Sequence, residues 1–233
     1  MLPAVHLLIG ITLGIVLLYI THDCRAIIYC ALGSLLPDLI DKPLGHIVFF
    51  SLGNGRIFFH SLTVCVIVAI LGVILFLWRR HPGLLFIAAG MLSHQLADAM
   101  WAMPRSWYWP FLGWFHPKYN PYYFHNMFGL EFSSPSELLV IAAGVVLFLC
   151  LLQAWRTGNG RFFRGASVLV GCLLLVTGVL VISGISGSLL PGALVYSGTR
   201  DMLICGLSLF CGGAAFLLVG ISPPIGCTVK DLL

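Results

Sequence analysis

Only eight of the 233 residues are acidic and eight are histidine. In so sparing a chain, the few that recur at short fixed spacings are where chemistry is to be sought. Asp38 and Asp41 lie in Leu36-Pro37-Asp38-Leu39-Ile40-Asp41-Lys42-Pro43, three residues apart, so both carboxylates can face one way on a helical turn. His94 and Asp98 lie in Ser93-His94-Gln95-Leu96-Ala97-Asp98. Positions i and i+4 of a helix share a face about 6 Å apart along its axis. A histidine and an aspartate so placed can grip one metal, or the carboxylate can orient the imidazole behind it. His60, in Arg56-Ile57-Phe58-Phe59-His60-Ser61, and His6 near the N-terminus add two imidazoles. Mixed histidine and carboxylate donors suit Zn, Mn or Fe. Each group also has a plain structural reading: a turn-forming aspartate pair, a buried His–Asp bond between helices, or interfacial histidines.

The elements that must position these residues are membrane helices. The chain is 60% hydrophobic and 9% charged, whereas a soluble domain carries about a quarter charged residues. No segment is long and polar enough to form a soluble domain. A spanning helix needs about 20 mostly apolar residues. Seven segments are expected: Leu2–Ile20, a short Arg25–Leu36 stopped by Pro37, His60–Trp78, Gly83–Met103, Ser136–Trp155, Gly165–Ile185 and Met202–Ile221. The first lacks the positive flank and cleavage site of a signal peptide and is read as a retained span. Residues 104–135 carry Trp107, Trp109, Trp114, Tyr119, Tyr122 and Tyr123, an aromatic belt at headgroup level. The eight cysteines form no Cys-x-x-Cys pair, so no zinc ribbon or redox motif is indicated. Basic residues are scattered, and nucleic acid is excluded as a partner.

Alternation of the spans brings Asp38, His60, Asp98 and His6 to the same half of the membrane, whichever way the bundle faces. Ionisable side chains inside a membrane are costly and mark function. The positive-inside bias favours an outside N-terminus and a cytoplasmic C-terminus. It places Arg25, Arg79, Arg80, Arg156, Arg161, Arg164 and Lys230 inside, against Lys42, Arg56, Arg105, Lys118 and Arg200 outside.

In order along the chain, His6-Leu7 with Gly10, Gly33 to Pro37-Asp38 and Asp41, Arg56 with His60-Ser61, and His94 with Asp98 before Pro104 and Pro110 resemble the YdjM-like, LexA-regulated family of membrane-bound metal-dependent hydrolases. The resemblance covers roughly residues 1–110. The second aspartate falls one residue later than in the family pattern. Gly55 and Phe59 stand where the family has histidine and threonine, and Lys42 stands where a histidine often follows the aspartates.

The resemblance implies a metal-dependent hydrolase of the cell or inner membrane, acting at the bilayer surface on a lipid, phosphoester or other amphiphile. A divalent transition metal, Zn or Mn, would be held by Asp38, His60, His94 and Asp98. Asp41 and Arg56 would serve catalysis, and His6, Glu131 and Glu137 could add donors. The fold expected is an all-α polytopic bundle: a metal-site core in 1–110, an interfacial loop in 111–135 and a three-span scaffold in 136–233. The alternatives are an ion- or proton-coupled transporter, or a non-catalytic assembly protein in which the cluster only packs helices. Neither a His-Glu-x-x-His zincin motif nor a Gly-x-Ser-x-Gly serine-hydrolase motif occurs, and a phosphatidate-phosphatase signature is incomplete.

Overall fold

The computed structural model describes residues 3–117, 122–126, 129, 135–157, 160–183 and 199–222. Seven long helices run through them: α1 (Pro3–Thr21), α2 (Arg25–Pro43), α3 (Leu62–Arg79), α4 (Gly83–Ala97), α5 (Pro135–Thr157), α6 (Arg161–Ile182) and α7 (Thr199–Ile221). No strand occurs among the described residues, and the fold is all-α. Four helices are long and apolar enough to cross a membrane: α1, α3, α6 and the Arg200–Ile221 stretch of α7. The expected seven spans are therefore not all matched. α4 has 15 residues, about 22 Å of rise against a hydrocarbon core of about 30 Å. The apolar part of α5 is Leu138–Cys150, and α2 carries Asp38, Asp41 and Lys42 in its last turns.

The helices form two groups. α1, α2, α3 and α4 pack in one, α5, α6 and α7 in the other, and α1 touches both. Ala4, Val5 and Leu8 of α1 share a buried cluster with Val140, Ala143 and Leu147 of α5, Val170 and Leu174 of α6, and Leu209 of α7. Another face of α1 meets α2, where Leu13 and Leu17 pack against Ala26, Cys30 and Phe86. Close backbone approach brings α2 and α4 together. A Cβ on Gly33 would lie 2.2 Å from the Ile87 carbonyl oxygen, and one on Gly90 would lie 2.3 Å from that of Cys30. Small residues at such crossings are how membrane helices associate without a hydrophobic driving force between them. α3 sits at the periphery and buries only Cys65 and Gly72. Its exposed valines, isoleucines and leucines form a surface suited to lipid.

Three boundaries depart from expectation. α2 does not stop at Pro37 but continues through it to Pro43, and a π-helical turn follows over Leu44–Val48. Proline removes one backbone donor and crowds the carbonyl four residues back, so the helix runs on with the Gly33 carbonyl lacking its usual N–H partner. α4 ends at Ala97 instead of Met103. Asp98 caps it, and Ala99 adopts a left-handed conformation at φ 50° before a 3-10 turn over Met100–Ala102. α3 starts at Leu62, with Ser61 as its N-cap accepting from the Val64 N–H at 3.2 Å. His60 thus lies in a turn, not in a helix. Among the cysteines, Cys24 is disulfide-bonded, whereas Cys30, Cys65, Cys150, Cys172, Cys205 and Cys211 are free.

Candidate metal centre

The last turns of α2 and α4, the first turn of α1 and the turn before α3 converge at one end of the bundle. His6, Asp38, Asp41, His60, His94 and Gln95 are all buried there. In an apolar setting each such group requires a partner, so the partners show what the cluster is built to do.

The turn 57–61 presents His60 and is gripped from α2. Asp41 accepts from the N–H groups of Ile57 at 3.1 Å, Phe59 at 3.0 Å and His60 at 2.9 Å. Its Oδ2 also lies 2.8 Å from His60 Nδ1. Fully buried and accepting four hydrogen bonds, three of them on Oδ2, Asp41 holds the turn and the imidazole of His60.

Because Asp41 is an acceptor, it fixes the proton of His60 on Nδ1 and leaves Nε2 as a lone pair. The same logic holds for His94, whose Nδ1 donates to the Ser34 carbonyl at 2.7 Å. Yet the two Nε2 atoms face each other 3.1 Å apart. Two lone pairs repel, so a positive charge belongs between them or beside them. Two nitrogens bound at ~2.0–2.1 Å to one tetrahedral ion would stand about 3.3 Å apart, close to the spacing seen. A proton on His60 is the other occupant. Burial alone would lower the His60 pKa, but hydrogen bonds to Asp38 and Asp41 outweigh it and raise it. A metal would displace that proton on binding.

The carboxylates complete the set. Asp38 Oδ1 is 3.5 Å from His60 Nε2 and 3.8 Å from His94 Nε2, while its Oδ2 binds Lys42 Nζ at 2.6 Å. Asp98 directs Oδ1 at His6 Nε2, 3.2 Å away, and Oδ2 at Arg56 Nε, 2.7 Å away. Each aspartate thus turns one oxygen inward and ties the other to a cation. His6 stacks on His94 with ring centroids 3.9 Å apart. Neither His6 nitrogen makes a hydrogen bond, because the approach to Asp98 is close but off-direction. An orphaned imidazole beside a carboxylate is a donor without its acceptor. Two groups of three donors, His6/His94/Asp98 and Asp38/His60/His94, each lie within 4.8 Å of one another. The residues present therefore fit a divalent transition metal.

Glu131 and the side chain of Glu137 lie outside the described residues. Three partners, Gln95, Trp107 and Tyr123, carry no signal of their role in the sequence. Gln95 donates to the carbonyls of Phe59 at 3.2 Å and Ser61 at 3.0 Å, and accepts from Trp107 Nε1 at 3.0 Å. His46 stacks on Tyr123 at 3.6 Å, and burial together with the charge of Asp38 pushes the Tyr123 phenol up to about 12. Gln95 stood inside the His94 motif, where its adjacency was the only signal. Trp107 and Tyr123 were read as belt, since nothing in an aromatic residue's spacing distinguishes the two roles.

Fold and site together define a polytopic helical membrane protein with a buried His/Asp cluster able to hold a metal at one end of its bundle. A family model for the YdjM inner membrane protein matches residues 1–183, and the chain belongs to that family. The match runs past residue 110, where the sequence motifs end, through α6. No curated protein and no solved structure matches the chain.

Proposed function

We propose that this inner membrane protein is a metal-dependent hydrolase acting at the bilayer surface on an amphiphile with an anionic ester, a lipid phosphoester being the best fit. The observation that supports this most is the pair of histidine Nε2 atoms facing each other at 3.1 Å, each imidazole aligned by an acceptor on its far nitrogen. Asp38, His60, His94, Asp98 and His6 would hold the ion. When bound, such an ion lowers the pKa of a water and polarises a substrate oxygen.

The chain's own groups do the rest. Asp41 and the Ser34 carbonyl keep both imidazoles in the tautomer that ligates. Lys42 and Arg56 neutralise the outer carboxylate oxygens. Arg56, about a third of whose side chain is exposed, keeps guanidinium N–H groups for an anionic substrate oxygen. Phe58, in the histidine turn, packs edge-on against Trp109 at 5.1 Å and Phe115 at 5.2 Å. Exposed Phe111 and Trp114 extend this surface toward the headgroup layer, where an acyl chain would lie.

Among the described residues the buried ionisable groups gather at one end and do not cross the bundle, which favours the hydrolase over the transporter reading. Orientation has two opposed signals. Arg79, Arg80, Arg156, Arg161 and Arg164 favour a cytoplasmic face opposite the site, whereas the Cys24 disulfide at that same end belongs to an oxidising compartment. The test of function is metal content of the purified protein, with hydrolysis of phospholipid in mixed vesicles. Wild type should hold stoichiometric metal and release product, and Asp38→Asn and His94→Ala should lose both. Full metal content in those two variants would rule out the ligand set.

A further inference from the structure

The turn that carries His60 is held on both of its faces, and only one of these grips comes from a charged residue. Asp41 of α2 collects its N–H groups. On the other side Gln95 of α4, fully buried, collects the carbonyls of Phe59 and Ser61, the two residues flanking His60. A primary amide can do this in one orientation only, with its NH2 toward the carbonyls and its oxygen turned away. The orientation is set from outside the cluster. Trp107 lies in a short helix of the aromatic segment, and its indole N–H, which can only donate, reaches Gln95 Oε1 at 3.0 Å. His94 and Gln95 are neighbours on α4, so one helix turn supplies both an imidazole facing His60 and the amide holding the backbone around it.

We propose that Gln95 is a positioning residue for the metal centre, with Trp107 fixing the sense of its amide, so that the aromatic interfacial segment sets the placement of the His60 ligand. This rests on the metal reading above. Partners behind a ligand, when removed, typically cost 10–100-fold in metal affinity. Here the loss arises because residues 59 and 61 bracket His60, and freeing their carbonyls lets the imidazole leave its place opposite His94. The role is distinct from that of Asp41, which also touches the imidazole. Gln95 touches the backbone on either side of His60 and not its imidazole, and acts through that placement.

The experiment is a cobalt(II) titration of the full-length protein in lipid nanodiscs, read by the visible ligand-field spectrum and the dissociation constant. Wild type is compared with Gln95→Met, which keeps length and removes the amide, and with Trp107→Phe, which keeps the ring and removes the donor. Trp101→Phe serves as control, since that ring is half exposed. Gln95→Met should weaken cobalt binding at least tenfold and alter the spectrum, with helical content unchanged. Trp107→Phe should weaken it less than tenfold but beyond the control. A folded Gln95→Met with wild-type affinity and spectrum overturns the proposal. Should that variant fail to fold, Trp107→Phe decides alone, and behaviour identical to Trp101→Phe overturns it. A wild type that takes up no cobalt removes the metal reading itself, and this inference with it.

Discussion

The α1–α4 group and the α5–α7 group are assembled by the same device but finished differently. In both, helices cross where glycines let backbones touch. A Cβ on Gly90 would meet the Cys30 carbonyl oxygen at 2.3 Å, and one on Gly178 would meet the Phe210 nitrogen at 2.6 Å. In the second group the buried hydroxyls serve their own helix, as Ser167 does by bonding to the Phe163 carbonyl and Ser208 to that of Ile204. In the first group buried polar side chains reach across helices: Asp41 to the turn 57–61, His94 to Ser34, Gln95 to Phe59 and Ser61. Close packing alone makes a bundle. Polar groups that cross between elements at one end make a site.

Substitutions can break or sharpen that contrast, and Asp41→Ala should be the most damaging. It frees three backbone N–H groups and the His60 imidazole at once. About 3–5 kcal/mol of stability should be lost, as for breaking a buried pair, together with metal binding. Thermal unfolding in detergent, with and without added zinc, would measure both. Next come the glycines. Gly90→Val and Gly178→Val each overpack a crossing, at about 1–3 kcal/mol or more, yet only Gly90→Val should also deplete metal. Equal metal loss in the two variants would deny that the groups divide the work. His6→Ala should lower the stability of the metal-free protein as well, because it empties a fully buried place against His94 and leaves Asp98 Oδ1 without its imidazole. Its zinc affinity should fall, and an unaltered isothermal titration would exclude His6 from the ligand set.

The smallest effect belongs to Asp23, at the opposite end. Its hydrogen bonds to Arg25 hold its pKa below the ordinary 3.8. A depressed carboxylate stabilises the fold above that value and loses the contribution as pH falls through the lower, folded-state value. The Arg25 side chain is half exposed, so Asp23→Asn should cost under about 1 kcal/mol at neutral pH and nothing in strong acid. A pH series of melting curves would show the difference between variant and parent closing on the acid side.

The sequence disclosed most of the helices, because apolar runs of membrane length are hard to mistake. It also singled out Asp38, His60, His94 and Asp98, ionisable residues in or beside such runs, and the fold gathers their side chains at one end of the bundle. Pro37 is a misleading signal, because a proline costs a helix one hydrogen bond but does not end it where packing holds both sides, as α1 and α4 hold α2. Asp41 was legible as important but not for its part. Its partners are backbone N–H groups of a turn sixteen to nineteen residues later, and backbone donors leave no trace in residue identity. Gln95 was hidden for the same reason, its partners being carbonyls. The end of α4 at Asp98 was also unreadable, for the left-handed Ala99 that turns the chain there is a residue type that ordinarily continues a helix.

The sharing of α1 between the two groups bears on how the protein is made. α1 is made before the other helices described, yet its His6 faces Asp98, ninety-two residues later, and its apolar face packs on α7, about two hundred residues later. Contacts so distant in sequence close slowly. During synthesis α1 must therefore wait in the membrane with a bare imidazole and an uncovered face until α7 arrives to cover it. A chain interrupted before α7 would carry every residue of the site and still leave the helix that bears His6 without its outer wall.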